Sequence, residues 1–128
     1  MQNPYNQYKQ NNVMTASPEY LTLLLYNGAL KFINQGKVYI NNKDIPNAHH
    51  AILRAQAIVQ ELNITLDMEY EISHSLRSLY GHMLERLVDA NIKKDNTILD
   101  EVAAMVTELR DTWKEAMKEA RKIKYGAL

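Results

Sequence analysis

Ser17-Pro18-Glu19-Tyr20-Leu21-Thr22-Leu23-Leu24-Leu25-Tyr26-Asn27-Gly28-Ala29-Leu30 opens the first long apolar run of the chain. Its first three residues mark a helix start. A serine hydroxyl accepts hydrogen bonds from unpaired backbone N–H groups, proline fits the first helical position, and glutamate complements the positive helix end. Ahead of this start lies a polar tail that passes through Val13-Met14-Thr15-Ala16 and carries Tyr5 and Tyr8. It is too polar to fold alone, yet its two tyrosines favour a surface to lie on. The reading is a tail over residues 1–16 that packs on the rest as a groove cover, and a helical domain over residues 17–128.

Working outward, the first helix runs from about Ser17 to Asn41. Asp44 caps a second, with Pro46 in its first turn, that reaches about Leu66. A third spans roughly Glu69 to Ala90, and a fourth is capped by Asp95, extends to about Lys124 and closes at Gly126. Four glycines and three prolines leave few breaks, and no segment alternates as a strand does. Short joints make neighbouring helices antiparallel. The expected fold is all-α: an up-down-up-down four-helix bundle with the tail packed on it.

With 128 residues, 46% of them hydrophobic, the chain is long enough for a real core. Lys+Arg and Asp+Glu number 15 each, so no whole-chain field attracts nucleic acid or anionic lipid. The absence of cysteine rules out disulfides, thiolate metal sites and cysteine nucleophiles. No apolar run resembles a signal peptide or a membrane span. A cytoplasmic protein without nucleic-acid partners or membrane insertion is expected.

Placing residues at about 100° per step separates core faces from surplus apolar groups. Ile98, Val102, Met105, Val106, Leu109, Trp113, Ala116, Met117 and Ala120 form one stripe on the fourth helix, as bundle packing requires. The second has a comparable stripe from Ala48 to Leu62, but Leu53, Ala57 and Ile64 lie nearly opposite it. On the first, Leu21, Leu24, Leu25, Gly28, Ala29 and Phe32 share an arc, with Leu23 and Leu30 across from them. On the third, Ile72, Leu76, Leu79, Met83 and Leu87 centre the expected core face, which Tyr80, Leu84 and Val88 broaden to one side. One stripe per helix suffices for a bundle, and three helices carry more. The surplus reads as a groove for an incoming amphipathic helix, covered at rest by Tyr5 and Tyr8. The plainer reading is a surface hidden by the tail or by a homodimer partner.

Catalytic and metal chemistry finds little support. Glu71-Ile72-Ser73-His74 matches the Glu-x-x-His unit of di-iron bundles, but it occurs once and both ligand types fall opposite the core stripe. His74-Ser75-Leu76-Arg77-Ser78 resembles, weakly, the motif of histidine phosphotransfer domains, with Ser78 where that family has glycine. No phosphate loop or nucleophile triad is present. Neither a metal, a cofactor nor an enzyme is expected. Phosphotransfer through His74 and a plain helical dimerisation domain are the alternatives.

Beyond these patterns, the chain closely resembles the FliS family of flagellar export chaperones. The likeness lies in Asn3-Pro4-Tyr5, Tyr8-Lys9-Gln10-Asn11, Val13 to Pro18, Leu24-Leu25-Tyr26 and Gly28-Ala29-Leu30. It continues in Arg54-Ala55-Gln56, Glu61-Leu62-Asn63, Leu66-Asp67, Ala90 to Asp95 and Leu109-Arg110-Asp111-Thr112-Trp113. The ordered set spans nearly the whole chain. The resemblance implies a cytoplasmic, non-enzymatic helical bundle that binds the C-terminal segment of flagellin, prevents premature polymerisation and helps delivery to the type III export gate. It implies that the tail, here Tyr5 and Tyr8, occupies part of the client surface. The surplus residues Leu23, Leu30, Leu53, Ala57, Ile64, Tyr80, Leu84 and Val88 are the expected client contacts. A resting monomer or weak homodimer, with export-gate components as further partners, completes the expectation.

Overall fold

A computed structural model describes residues 17–126 of the chain. Four helices fill it: α1 (Pro18–Asn41), α2 (Ile45–Ile64), α3 (Glu71–Lys93) and α4 (Asn96–Gly126). The starts obey the local chemistry of the sequence. Ser17 is extended and its hydroxyl accepts from the Tyr20 N–H, Asp44 accepts from Asn47 N–H, and Asp95 accepts from Thr97 N–H. The start of α3 falls two residues later than expected, because Asp67 takes the Glu69 N–H at 3.0 Å and holds that residue in the preceding turn. Lys94, left-handed at φ 49°, ends α3.

The helices form a ring in which α1 and α3 each pack against both α2 and α4. Their senses alternate: Gly28 meets Ile58 while Gly36 meets Ile52, and Glu19 meets Trp113 while Lys37 pairs with Asp100. This is the expected antiparallel bundle. Gly36 makes one close approach possible. A Cβ there would lie 3.3 Å from Ile52, which is fully buried and cannot retreat. Ala51 of α2 would lie 3.9 Å from the same Cβ and Leu99 of α4 3.6 Å from it, so Gly36 lets α1 approach both neighbours closely.

At the centre, Tyr26 of α1 and Tyr80 of α3 meet across the diagonal, hydroxyl to hydroxyl at 2.6 Å, each 1% exposed. Trp113 stacks edge-on against Tyr26 with ring centroids 6.5 Å apart, and its indole N–H donates to the Glu19 carbonyl at 2.8 Å. One aromatic group thus ties three helices together.

This arrangement corrects the expected phase of two helices. On α1 the buried face is Tyr26, Ala29, Leu30, Ile33 and Gly36, whereas Leu21 and Leu24 are exposed. Leu30 is therefore interior, not surplus. On α3 the buried face runs Ser73, Tyr80, Met83, Leu87 and Ala90, and Ile72 is 65% exposed. Tyr80 belongs to the core because its hydroxyl finds a buried partner, which an apolar-pattern reading does not weigh. The stripe on α4 is also shorter than expected: Ile98, Val102 and Val106 are buried, but Ala116 and Ala120 are exposed. At 31 residues against 23 for α3, α4 runs past the end of its neighbour.

Burial raises both tyrosine pKa values above the ordinary value, and the mutual hydrogen bond raises that of Tyr80 further. Tyr80→Phe leaves the Tyr26 hydroxyl buried without its partner and is expected to cost about 1–3 kcal/mol in denaturant unfolding. The Tyr26→Phe/Tyr80→Phe double variant should cost less than the two single changes together. The raised values also set a pH dependence. Below pH about 10 both states are neutral, and above it the unfolded chain ionises first, so stability falls as pH climbs. The double variant should lose less stability over that interval.

Candidate functional site

Two interhelical ion pairs among the described residues, Lys37–Asp100 and Arg86–Glu101, both involve α4. Arg86 Nε donates to Glu101 at 2.6 Å, and that bond holds the exposed Glu101 carboxyl below the usual carboxylate range. The α2–α3 seam has no such pair among the described residues. Its polar link is at one end, where Asn91 Nδ2 lies 2.9 Å from His49 Nδ1, and Asn91 in turn accepts from Lys94 Nζ.

That link fixes which line of α2 faces α3. Residues seven apart on a helix lie nearly in line, so His49, Gln56 and Asn63 form one row along the seam. In the antiparallel partner, Asn91, Leu84 and Arg77 form the facing row. Just outside these rows lie Leu53, Ala57 and Ile64 on α2 and Gly81 and Val88 on α3. Leu53 and Val88 are each 42% exposed and Ile64 is 75% exposed. Ala57 is exposed, and Leu84 is half-buried against the core, forming part of the floor. A Cβ built on Gly81 meets nothing within 4 Å, so this position is a notch in the wall. The result is an apolar lip along one seam, with a gap in it.

Five of the expected contact residues thus come together: Leu53, Ala57, Ile64, Leu84 and Val88. Three others do not. Leu30 and Tyr80 are in the core, and Leu23 lies in line with Leu30 and Lys37, the row that faces α4. Tyr5 and Tyr8 lie outside the described residues. His74 and Arg77 are both exposed, one helical turn apart on α3.

A second apolar feature was absent from the expected set. Leu79, Met105, Glu108, Leu109 and Thr112 line a cavity of about 210 Å³ between α3 and α4. Leu76 lies half-buried and Ile72 exposed one and two turns before Leu79 on α3. The signal existed in the sequence, since these side chains are a regular stripe, but a regular stripe reads as core. No helix of the described residues is long and apolar enough to cross a membrane.

Comparison with known proteins adds an independent finding. The profile of the family described as flagellar protein FliS matches residues 1–120. A flagellar secretion chaperone FliS of Bacillus subtilis (strain 168) is 47% identical over 127 residues, covering 99% of this chain and 96% of its own. One of Campylobacter jejuni is 37% identical, covering 87% of this chain and 88% of its own. A crystal structure of a flagellar chaperone from bacteria superposes with a TM-score of 0.76 at 18% identity, over 90% of this chain and 95% of that one. At that identity the superposition speaks for the four-helix fold alone.

The exposed lip predicts a separation of stability from surface properties. Ile64→Asn should leave the thermal midpoint nearly unchanged, because that side chain is 75% exposed, while lowering binding of an apolar dye. Gly81→Ala should raise stability by about 0.5–1 kcal/mol, as the helix gains a better former without a clash.

Proposed function

Because the chain belongs to the FliS family, a family of flagellar chaperones and not of enzymes, we propose that it binds the C-terminal segment of flagellin in the cytoplasm. In this reading it keeps that segment from polymerising early and aids its delivery to the flagellar type III export apparatus. One observation carries the choice of surface: Leu53, Ala57, Ile64 and Val88 line up as an exposed apolar lip along the α2–α3 seam, which no interhelical ion pair among the described residues closes.

The physics is substitution of one set of contacts for another. A flagellin terminus outside the filament is an amphipathic segment whose apolar face would otherwise find a second flagellin. Laid along the α2–α3 lip, that face is removed from water at about 25 cal/mol per Å². Ordering the segment takes back much of this gain, so affinity is ordinary and the client can be released. Tyr5 and Tyr8 supply the resting cover, and the client displaces them. Export-gate components then meet the loaded complex, and the empty chaperone is a monomer or weak homodimer.

Titration calorimetry with full-length flagellin and with flagellin lacking its C-terminal segment checks this reading. A stoichiometric complex is expected with the first and none with the second; equal affinity for both rejects the client site. Removing residues through Lys9 should increase apolar-dye binding or self-association. If neither changes, the tail is no cover.

A further inference from the structure

The row of α2 that faces α3 is polar along its whole length, and only its first member is satisfied. His49 has Asn91 as partner. Seven and fourteen residues on, Gln56 Oε1 and Asn63 Oδ1 are buried and have no hydrogen-bond partner among the described residues. The facing residues explain why. Leu84 stands opposite Gln56 and offers no donor, and the Arg77 side chain opposite Asn63 is turned to solvent. Such orphaned acceptors carry a cost, typically larger than the value of one satisfied bond. An apolar side chain at either place would serve a mere helix contact better.

We propose that Gln56 and Asn63 are specificity-determining residues of the α2–α3 seam, whose side-chain oxygens accept hydrogen bonds from two donor side chains of the docked client. This rests on the flagellin reading and deepens it. Both residues are half-buried, so rotation about their side-chain torsions carries each oxygen to the open edge beside Leu53 and Ile64. The move breaks no bond, because neither oxygen has one. Seven residues of helix span about 10 Å, so a client helix lying along the seam presents matching donors one heptad apart. The class of client follows: an amphipathic segment with amide or hydroxyl side chains at that spacing, flanked by apolar residues that fill the lip and the notch at Gly81. A wholly apolar helix would leave both oxygens unpaired and is discriminated against.

The test uses the full chain and the flagellin C-terminal segment. Gln56→Met and Asn63→Leu replace each amide with an apolar group of similar size. Each variant is expected to unfold at a higher temperature than the parent and yet to bind the segment about five- to tenfold more weakly, the loss of one hydrogen bond. Unchanged or tighter binding in both variants overturns the proposal. So does weaker binding accompanied by a lower unfolding temperature, which marks a structural role. If the unaltered chain does not bind the segment, the flagellin reading itself falls.

Discussion

The rings of Tyr26 and Tyr80 fill the centre of the bundle with their hydroxyls 2.6 Å apart, and the buried faces of α1 and α3 are arranged around that pair. A buried phenol must pair, and in the closed centre each has the other. Bringing Tyr80 inward turns α3 so that Ser73, Met83, Leu87 and Ala90 face the core with it. The same rotation turns Ile72 outward on one flank and Val88 on the other. Bringing Tyr26 inward draws Leu30 and Ile33 with it and leaves Leu21 and Leu24 to solvent.

The interior is thus filled early, and the consequence lies at its edges. The α1–α2 contact is closed by Gly36 and the facing alanines, and the α1–α4 contact by Trp113, Lys37 and Asn96. Between α2 and α3 neither device is present. One hydrogen-bonded end at His49–Asn91 and apolar packing hold that seam, with Gly81 supplying a gap and Leu53, Ile64 and Val88 a lip. Among the described residues no side chain closes over this lip. The seam trades local stability for an accessible apolar edge, a pattern expected where a surface must take and release a partner.

The family is one of chaperones, not of enzymes. The shifted groups are the two core tyrosines and the exposed Arg86–Glu101 pair, all structural.

Ser17, Asp44 and Asp95 determined the helix starts from sequence alone, because capping is chemistry between residues a few positions apart. The opposite placement of Leu53, Ala57 and Ile64 on α2 was equally legible, since a core stripe of Ala48, Ile52, Ala55 and Val59 leaves only one phase open. What only the tertiary structure decided was the inside of α1 and α3. Periodicity favoured Leu21, Leu24, Leu25, Gly28, Ala29 and Phe32 on α1 and centred α3 on Ile72, Leu76, Leu79, Met83 and Leu87, and it is blind to where a tyrosine hydroxyl can be satisfied. The choice turned on whether a tyrosine hydroxyl would find a partner from a residue 54 positions away. Leu30 and Tyr80 lie in the core beside that pairing, and which polar groups of α2 find partners on α3 was likewise decided by tertiary packing alone.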